Sequence, residues 1–238
     1  MLSHRFSRNR KTITMQITTL LVNRADITDT RSVSAPAPDL PDGQVRLSIE
    51  KFAMTANNVT YAAAGDSLKY WQFFPADDGW GKVPVWGIGN IVESKAEGLS
   101  VGERYYGYFP PASHLDVTPD RIRPHGFVDI AEARLGLAPI YNQYIRLTEA
   151  DDLDDDLEDR LCLLKPLYAT SFLLWDFMLD NDYFGAEQFI VSSASSKTAI
   201  GLLSLAKEKG PKVIGLTSAK NRDFVQGLNI CDQIVDYD

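Results

Sequence analysis

The sequence predicts a mixed α/β protein in which a β-rich N-terminal part precedes a doubly wound, parallel strand–helix part. Three observations predict it. Short runs between residues 15 and 109 alternate apolar and polar positions with period two, and Gly and Pro punctuate them. From residue 188 the texture changes to continuous apolar runs separated by helix-periodic segments, the pattern of buried parallel strands. A hydrophobic share of 45% with 24% charge over 238 residues is enough apolar material for one large domain or two ordinary ones.

The elements follow in order. Residues 1–14, MLSHRFSRNRKTIT, are basic and polar without the apolar run of a secretory signal. Two readings remain, a very short Arg- and Ser-rich presequence or an extension expected to be disordered, with Met15 opening the domain. ITTLLV, ADITDTRSV and QVRLSIEKFAM read as strands, with Pro36, Pro38 and Pro41 marking the loop before the last. VPVWGIGNIVES and VGERYYGYF add two more, so the first half reads as a barrel or sandwich. Seven of the nine residues Asp151–Asp159 are acidic, which suits a solvated loop entering a helix N-terminus. The spacing lacks the glycine and closing glutamate of a calcium loop. LYATSFLLWDFMLD (167–180) is apolar on almost every face, which predicts a helix buried on more than one side or packed on a second subunit. A homodimer is therefore an open alternative. Phe189-Ile190-Val191 is a buried strand, and Ala199, Leu202, Leu203 and Ala206 share one helical face. Gly210-Pro211 ends that helix, and Val213–Leu216 and Gln233–Asp236 are two further strands around a short helix near 221–228.

Composition excludes several functions. A net charge of -8 argues against nucleic acid as a partner, because a phosphate backbone needs a basic face. Cys162 and Cys231 are far apart and form no CxxC pair, which argues against a structural zinc or a disulfide framework and for a reducing cytoplasm. No stretch approaches the ~20 consecutive apolar residues of a membrane span, so no membrane partner is expected.

The chemistry centres on the strand–loop–helix at 189–206. A helix N-terminus behind a tight loop aims unpaired N–H groups and a positive dipole end at a phosphate. Here VSSASSKTAIG stands where a dinucleotide-binding fold carries G-x-G-x-x-G. No glycine lies in the loop itself, and a serine at positive φ costs about 1–2 kcal/mol. Ser193, Ala194, Ser195, Ser196, Lys197 and Thr198 are the candidate phosphate contacts, the serine hydroxyls adding donors. Ser196-Lys197-Thr198 also resembles the end of a nucleoside-triphosphate loop, but both of that motif's glycines are missing. A helix start that binds nothing is the bland alternative. At the end of the second strand the sequence reads LTSAKNR, with no acid before Asp223. An acid there would hold a ribose 2′-OH, whereas a basic group favours a 2′-phosphate. Thr217, Ser218, Lys220 and Arg222 are accordingly expected at the adenosine end of NADP.

The stretch FIVSSASSKTAIGLLSLAKEKGPKVIGLTSAKNRDFVQGLNICDQIVDYD resembles the cofactor half of medium-chain dehydrogenase/reductases, especially their quinone-oxidoreductase-like members. Ser193, Ser196 and Ala199 fall where that superfamily's three loop glycines stand, and Leu205-Ala206-Lys207 matches its LAK. Upstream, VPVWGIGNIVE resembles PGHEGAGVVE, LSVGERYYGY resembles LKVGDRVYGY, and TANNVTYAAAG resembles the substrate-side NPVDxxxRSG. The resemblance covers about residues 15–238, least well over 110–150. More narrowly, the SSASSKTA loop and LYATSFLLWDF resemble an uncharacterised family of that superfamily. It implies a GroES-like β-barrel over 15–150, then a linking helix and an incomplete Rossmann domain over 151–238 that stops three strands into about six, a C-terminal truncation. Val85-Trp86 replaces the His-Glu pair of zinc-dependent members, and no cysteine precedes Cys162, so no zinc or other metal is expected.

The resemblance implies an NADPH-dependent reductase of a small-molecule substrate, a quinone, enone or similar carbonyl. Developing oxyanion charge would need a donor. Asn57, Asn58 and Tyr61 lie on the stretch resembling the substrate-side loop. His114 lies beyond the last clear barrel strand, and His125 lies in a loop. Tyr61 is equally well a core aromatic, and either histidine an ordinary structural one. Trp71, Trp80 and Trp86 with Phe73 and Phe74 either line a pocket for a flat acceptor or simply fill the core. The rival function is a catalytically inactive nucleotide-binding or interaction protein on the same fold.

Overall fold

A computed structural model describes residues 15–237; the predicted extension at 1–14 and Asp238 lie outside the described residues. The chain divides into two compact units between Asp152 and Leu153.

The first unit is antiparallel. Strand β1 (Gln16–Asn23) pairs with β2 (Thr30–Pro36). The strand expected from Ala25 starts only at Thr30, because Asp26 accepts the N–H and hydroxyl of Thr28 at 3.0 and 2.7 Å and closes a turn. After β3 (Val45–Ala53), Thr55 caps α1 (Ala56–Ala63), where the resemblance implied a loop. Then come β4 (Trp80–Gly81), which completes the three-stranded β2-β1-β4 sheet, β5 (Val85–Ser94) and β6 (Arg104–Phe109).

Four strands were not legible in the sequence: β7 (His114–Val117), β8 (Pro119–Arg123), β9 (Gly126–Asp129) and β10 (Gln143–Leu147). Each has only four or five residues, too few for a period to show. With β3, β5 and β6 they form a curled antiparallel sheet, a half-barrel of order β7-β3-β5-β6-β10-β9-β8. Its inner face buries Val45, Leu47, Val85, Ile91, Tyr105, Phe109 and Phe127. Arg134 is also buried: Nε meets Asp129 at 2.8 Å, and the remaining donors go to the carbonyls of Tyr141 (2.8 Å) and Tyr108 (3.1 Å) and the Tyr144 hydroxyl (3.0 Å). A buried guanidinium persists only when its donors are satisfied in this way.

The second unit begins with α2 (Asp155–Asp180), capped by Asp154, which accepts the Leu157 N–H at 2.8 Å. Asp155, Asp156 and Glu158 fill its first turn, at the positive end of the helix dipole. The helix is 26 residues long, and one 18-residue window of it has a mean hydropathy of 1.2, so by length and composition alone it is long and apolar enough to cross a membrane. One expectation is corrected here, that of burial on several sides: only Glu158, Cys162, Ser171 and Trp175 are buried, while Phe172, Leu173, Leu174 and Phe177 are exposed.

Strands β11 (Gln188–Val191), β12 (Lys212–Thr217) and β13 (Gln233–Asp236) are parallel and adjacent in that order. Helix α3 (Lys197–Lys209) crosses from β11 to β12, and α4 (Arg222–Leu228), entered through a 3-10 turn at Ala219–Asn221, crosses from β12 to β13. Ala199, Leu203 and Ala206 on α3 meet Val213, Val225 and Trp175 in the core. Ser171, with no exposed surface, donates to the Thr198 carbonyl at 2.7 Å and joins α2 to the start of α3.

Candidate functional site

Because the three strands are parallel, their carboxyl ends gather Ser192–Ser196, Ser218–Asn221 and Tyr237 on one edge of the sheet, where open α/β sheets bind ligands. Ser193 takes φ 50°, the left-handed conformation usually left to glycine. The turn closes by Ser196 N–H donating to the Ser193 carbonyl at 2.7 Å, and Ala194 N–H donates to the Leu216 carbonyl at 2.9 Å. Ser196 is the N-cap of α3, accepting Ala199 N–H at 3.2 Å, which contributes about 1 kcal/mol. The N–H groups of Ser195, Lys197 and Thr198 make no hydrogen bond among the described residues and are the ones available to an anion. Gly215 beneath the loop permits its approach: a Cβ there would stand 2.7 Å from Cys231 Sγ and 3.1 Å from Ala194 Cβ.

Beside the loop, Asn221 donates to Ser195 Oγ at 3.1 Å. Thr217 is 1% exposed, and its hydroxyl has no partner among the described residues. Such a group costs stability unless a ligand or water completes it. Lys220 is exposed without a partner among the described residues. Arg222 differs, since Nη1 pairs with Asp236 at 3.0 Å and both Nη atoms reach the Ile234 carbonyl. The donors thus fit a pyrophosphate and a sugar, and Lys220 fits a further phosphate more freely than Arg222 does. Sequence reasoning missed Tyr237 and, although Asn221 lay in the LTSAKNR stretch, its reach to Ser195; periodicity gives no sign of a single side chain reaching back to a loop.

In the first unit, Asn57, Asn58 and Tyr61 share α1. Asn57 is exposed. Asn58 is buried, and its amide is spent on the Pro84 carbonyl (2.8 Å) and the Thr55 N–H (2.6 Å) in a capping box. Tyr61 enters an aromatic cluster, 4.3 Å from the Tyr70 ring and 6.2 Å from that of Tyr108. Trp86, Tyr141, Phe73 and Phe74 complete this cluster. Burial first, then the neighbouring Tyr70, pushes the Tyr61 phenol above its ordinary range, so at neutral pH it is protonated and can donate a hydrogen bond. The Tyr108 hydroxyl is buried without a partner among the described residues. Trp71 and Trp80 lie elsewhere: Trp71 packs with Val22, Ala62 and Val83, and Trp80 lies under the Arg31 guanidinium at 3.9 Å. His114 is not beyond the sheet but opens β7, paired with Ser48 of β3. No hydrogen bond or ring contact joins it to α1 among the described residues. His125 lies in the turn between β8 and β9. Val85 is fully buried and Trp86 stacks on Tyr106 at 5.5 Å, so the Val85-Trp86 pair serves packing.

The fold is shared with solved structures that include oxidoreductases. A candidate NADPH:quinone reductase from Mesorhizobium loti aligns with TM-score 0.59 at 16% identity, over 95% of this chain and 61% of its own. The quinone oxidoreductase from Coxiella burnetii gives 0.52 at 13%, over 94% and 63%. A mycobacterial protein solved with NADPH gives 0.54 at 14%, over 93% and 58%. The chain thus spans about three-fifths of the length of these structures. No functionally curated protein matches the sequence. Residues 52–238 match the family model described as protein of unknown function (DUF2855), and the chain belongs to that family.

Proposed function

We propose that the chain carries the substrate side and the adenosine–pyrophosphate side of an NADPH-dependent, zinc-independent reductase of a quinone, enone or similar carbonyl compound. In this reading the first unit is a GroES-like β domain and the second is part of a Rossmann domain. The observation that carries it is the edge at the strand ends: three N–H groups at the N-terminus of α3, the buried Thr217 hydroxyl and Lys220, all without partners among the described residues. Ser195, Lys197 and Thr198 would hold the pyrophosphate, Thr217 and Ser218 the sugar, and Lys220 the 2′-phosphate, with Arg222 sharing itself with Asp236. Bound NADPH supplies a hydride; the chain's own contribution is to orient both partners and to donate a proton or hydrogen bond to the acceptor oxygen. Tyr61 is the donor best suited, since its phenol stays protonated, while Asn58 is committed to its capping box.

A second reading, a nucleotide-binding or interaction protein without turnover, draws on the same loop, since Ser193 brings a Cβ where a glycine would leave room for phosphate. Titration of the full-length protein with NADPH and NADH separates the two. The reductase reading expects NADPH to bind at least about fivefold more tightly at low salt, with the gap narrowing as salt rises, because exposed charge pairs are screened. NADPH oxidation with at least one of a panel of quinones and enones is also expected. Binding without oxidation supports the second reading, and no binding at millimolar NADPH excludes both nucleotide readings.

A further inference from the structure

A serine at φ 50° needs something to hold it there. Three hydrogen bonds converge on that task from the far end of the sheet. Ser193 N–H donates to the Tyr237 phenol oxygen at 2.6 Å. The Tyr237 hydroxyl in turn donates to the Leu216 carbonyl at 3.2 Å, the same carbonyl that accepts Ala194 N–H. Tyr237 N–H donates to the Thr217 carbonyl at 3.1 Å, which fixes the ring's backbone to the end of β12. One phenol thus ties the first residues of the loop to β12 from a position just past β13, while the residue as a whole remains 53% exposed.

We propose that Tyr237 is a positioning residue for the anion-binding loop, its phenol holding Ser193 in the conformation that a glycine would adopt unaided. The proposal rests on the reading of this loop as the pyrophosphate site and adds which donors remain for the ligand. Ser193 N–H is already engaged by the phenol, so the anion is met by Ser195, Lys197 and Thr198. The loop dispenses with its glycine because a side chain 44 positions later restores the lost stability of that turn.

The test is a double-mutant cycle in the full chain: wild type, Tyr237→Phe, Ser193→Gly and the two together. The first readout is NADPH affinity. Tyr237→Phe is expected to weaken NADPH binding about five- to tenfold with Ser193 in place, the effect of one hydrogen bond. In the Ser193→Gly background the same change is expected to cost less than about twofold, since glycine needs no brace. Equal losses in both backgrounds, or no loss in either, overturn the proposal. The second readout is the urea midpoint without nucleotide, with exchange of the Ser193 amide. Tyr237→Phe should deprotect that amide, whose acceptor it removes, and should lower the midpoint only when residue 193 is serine; additive midpoints overturn the brace. Absence of NADPH binding by the wild type sinks the nucleotide reading alone, and the second readout then decides on Tyr237.

Discussion

His114, a residue chosen for chemistry, stands in the sheet at the start of β7. Its Nδ1 lies 2.9 Å from Ser113 Oγ, with Arg46 on β3 and Asp116 on its own strand as the charged neighbours. Burial, then the Arg46 charge, lowers its pKa below the ordinary 6.5, with Asp116 opposing. At neutral pH the ring is uncharged and is no cationic donor. A lowered folded pKa means that the stability it supports is present above the unfolded value and is lost as pH falls through the folded one. The wild type should therefore lose more stability than His114→Gln between about pH 7 and 5 in urea titrations. Parallel profiles would show that the imidazole does not titrate differently on folding. At this scale the sequence revealed which residue types sit in the loop, and that Ser193 would meet a positive φ. It hid the partners of Arg134 and Asn58, because burial of a polar side chain depends on what the rest of the chain brings to it.

Among the elements, α2 and α3 come close at one point where small groups face each other, Ser171 and Gly201. A Cβ on Gly201 would stand 2.7 Å from Ser171 Oγ and 3.0 Å from its Cβ, so the two helices approach because neither presents bulk there. Gly201→Val should cost about 1–3 kcal/mol by overpacking, even though valine favours a helix more than glycine does. The measurement is urea denaturation followed at Trp175, which is buried in the same unit. An unchanged midpoint would mean that the helices separate without penalty. The strand–helix alternation from 188 was legible because each element there is a separate apolar run. Strands β7–β10 were not, since charged residues such as Asp116, Arg121 and Arg146 interrupt runs already too short to show a period. The length of α2 was underestimated for a related reason: its acidic first turns read as loop, although Asp154 caps a helix that begins among them.

At the level of the whole molecule, the two units differ in how far apart in the chain their paired strands lie. In the second, β11, β12 and β13 pair in the order of synthesis. In the first, β3 waits for β7, with Val45 opposite Val117, and β6 waits for β10, with Arg104 opposite Leu147. That difference governs the time course of folding. Closing a long loop sacrifices entropy before any contact rewards it, and chains dominated by distant pairings fold slowly. The second unit is expected to acquire its structure first, leaving the half-barrel's last strands to dock as the slow phase. The tryptophans are placed to report it: Trp175 is the only one in the second unit, and the buried Trp71 lies in the first. In stopped-flow refolding of full chains retaining one or the other, Trp175 fluorescence should settle well before that of Trp71. Coincident traces would show that the two units rise over a single barrier, with the carboxyl-terminal sheet held back until the distant strands of the amino-terminal one have met.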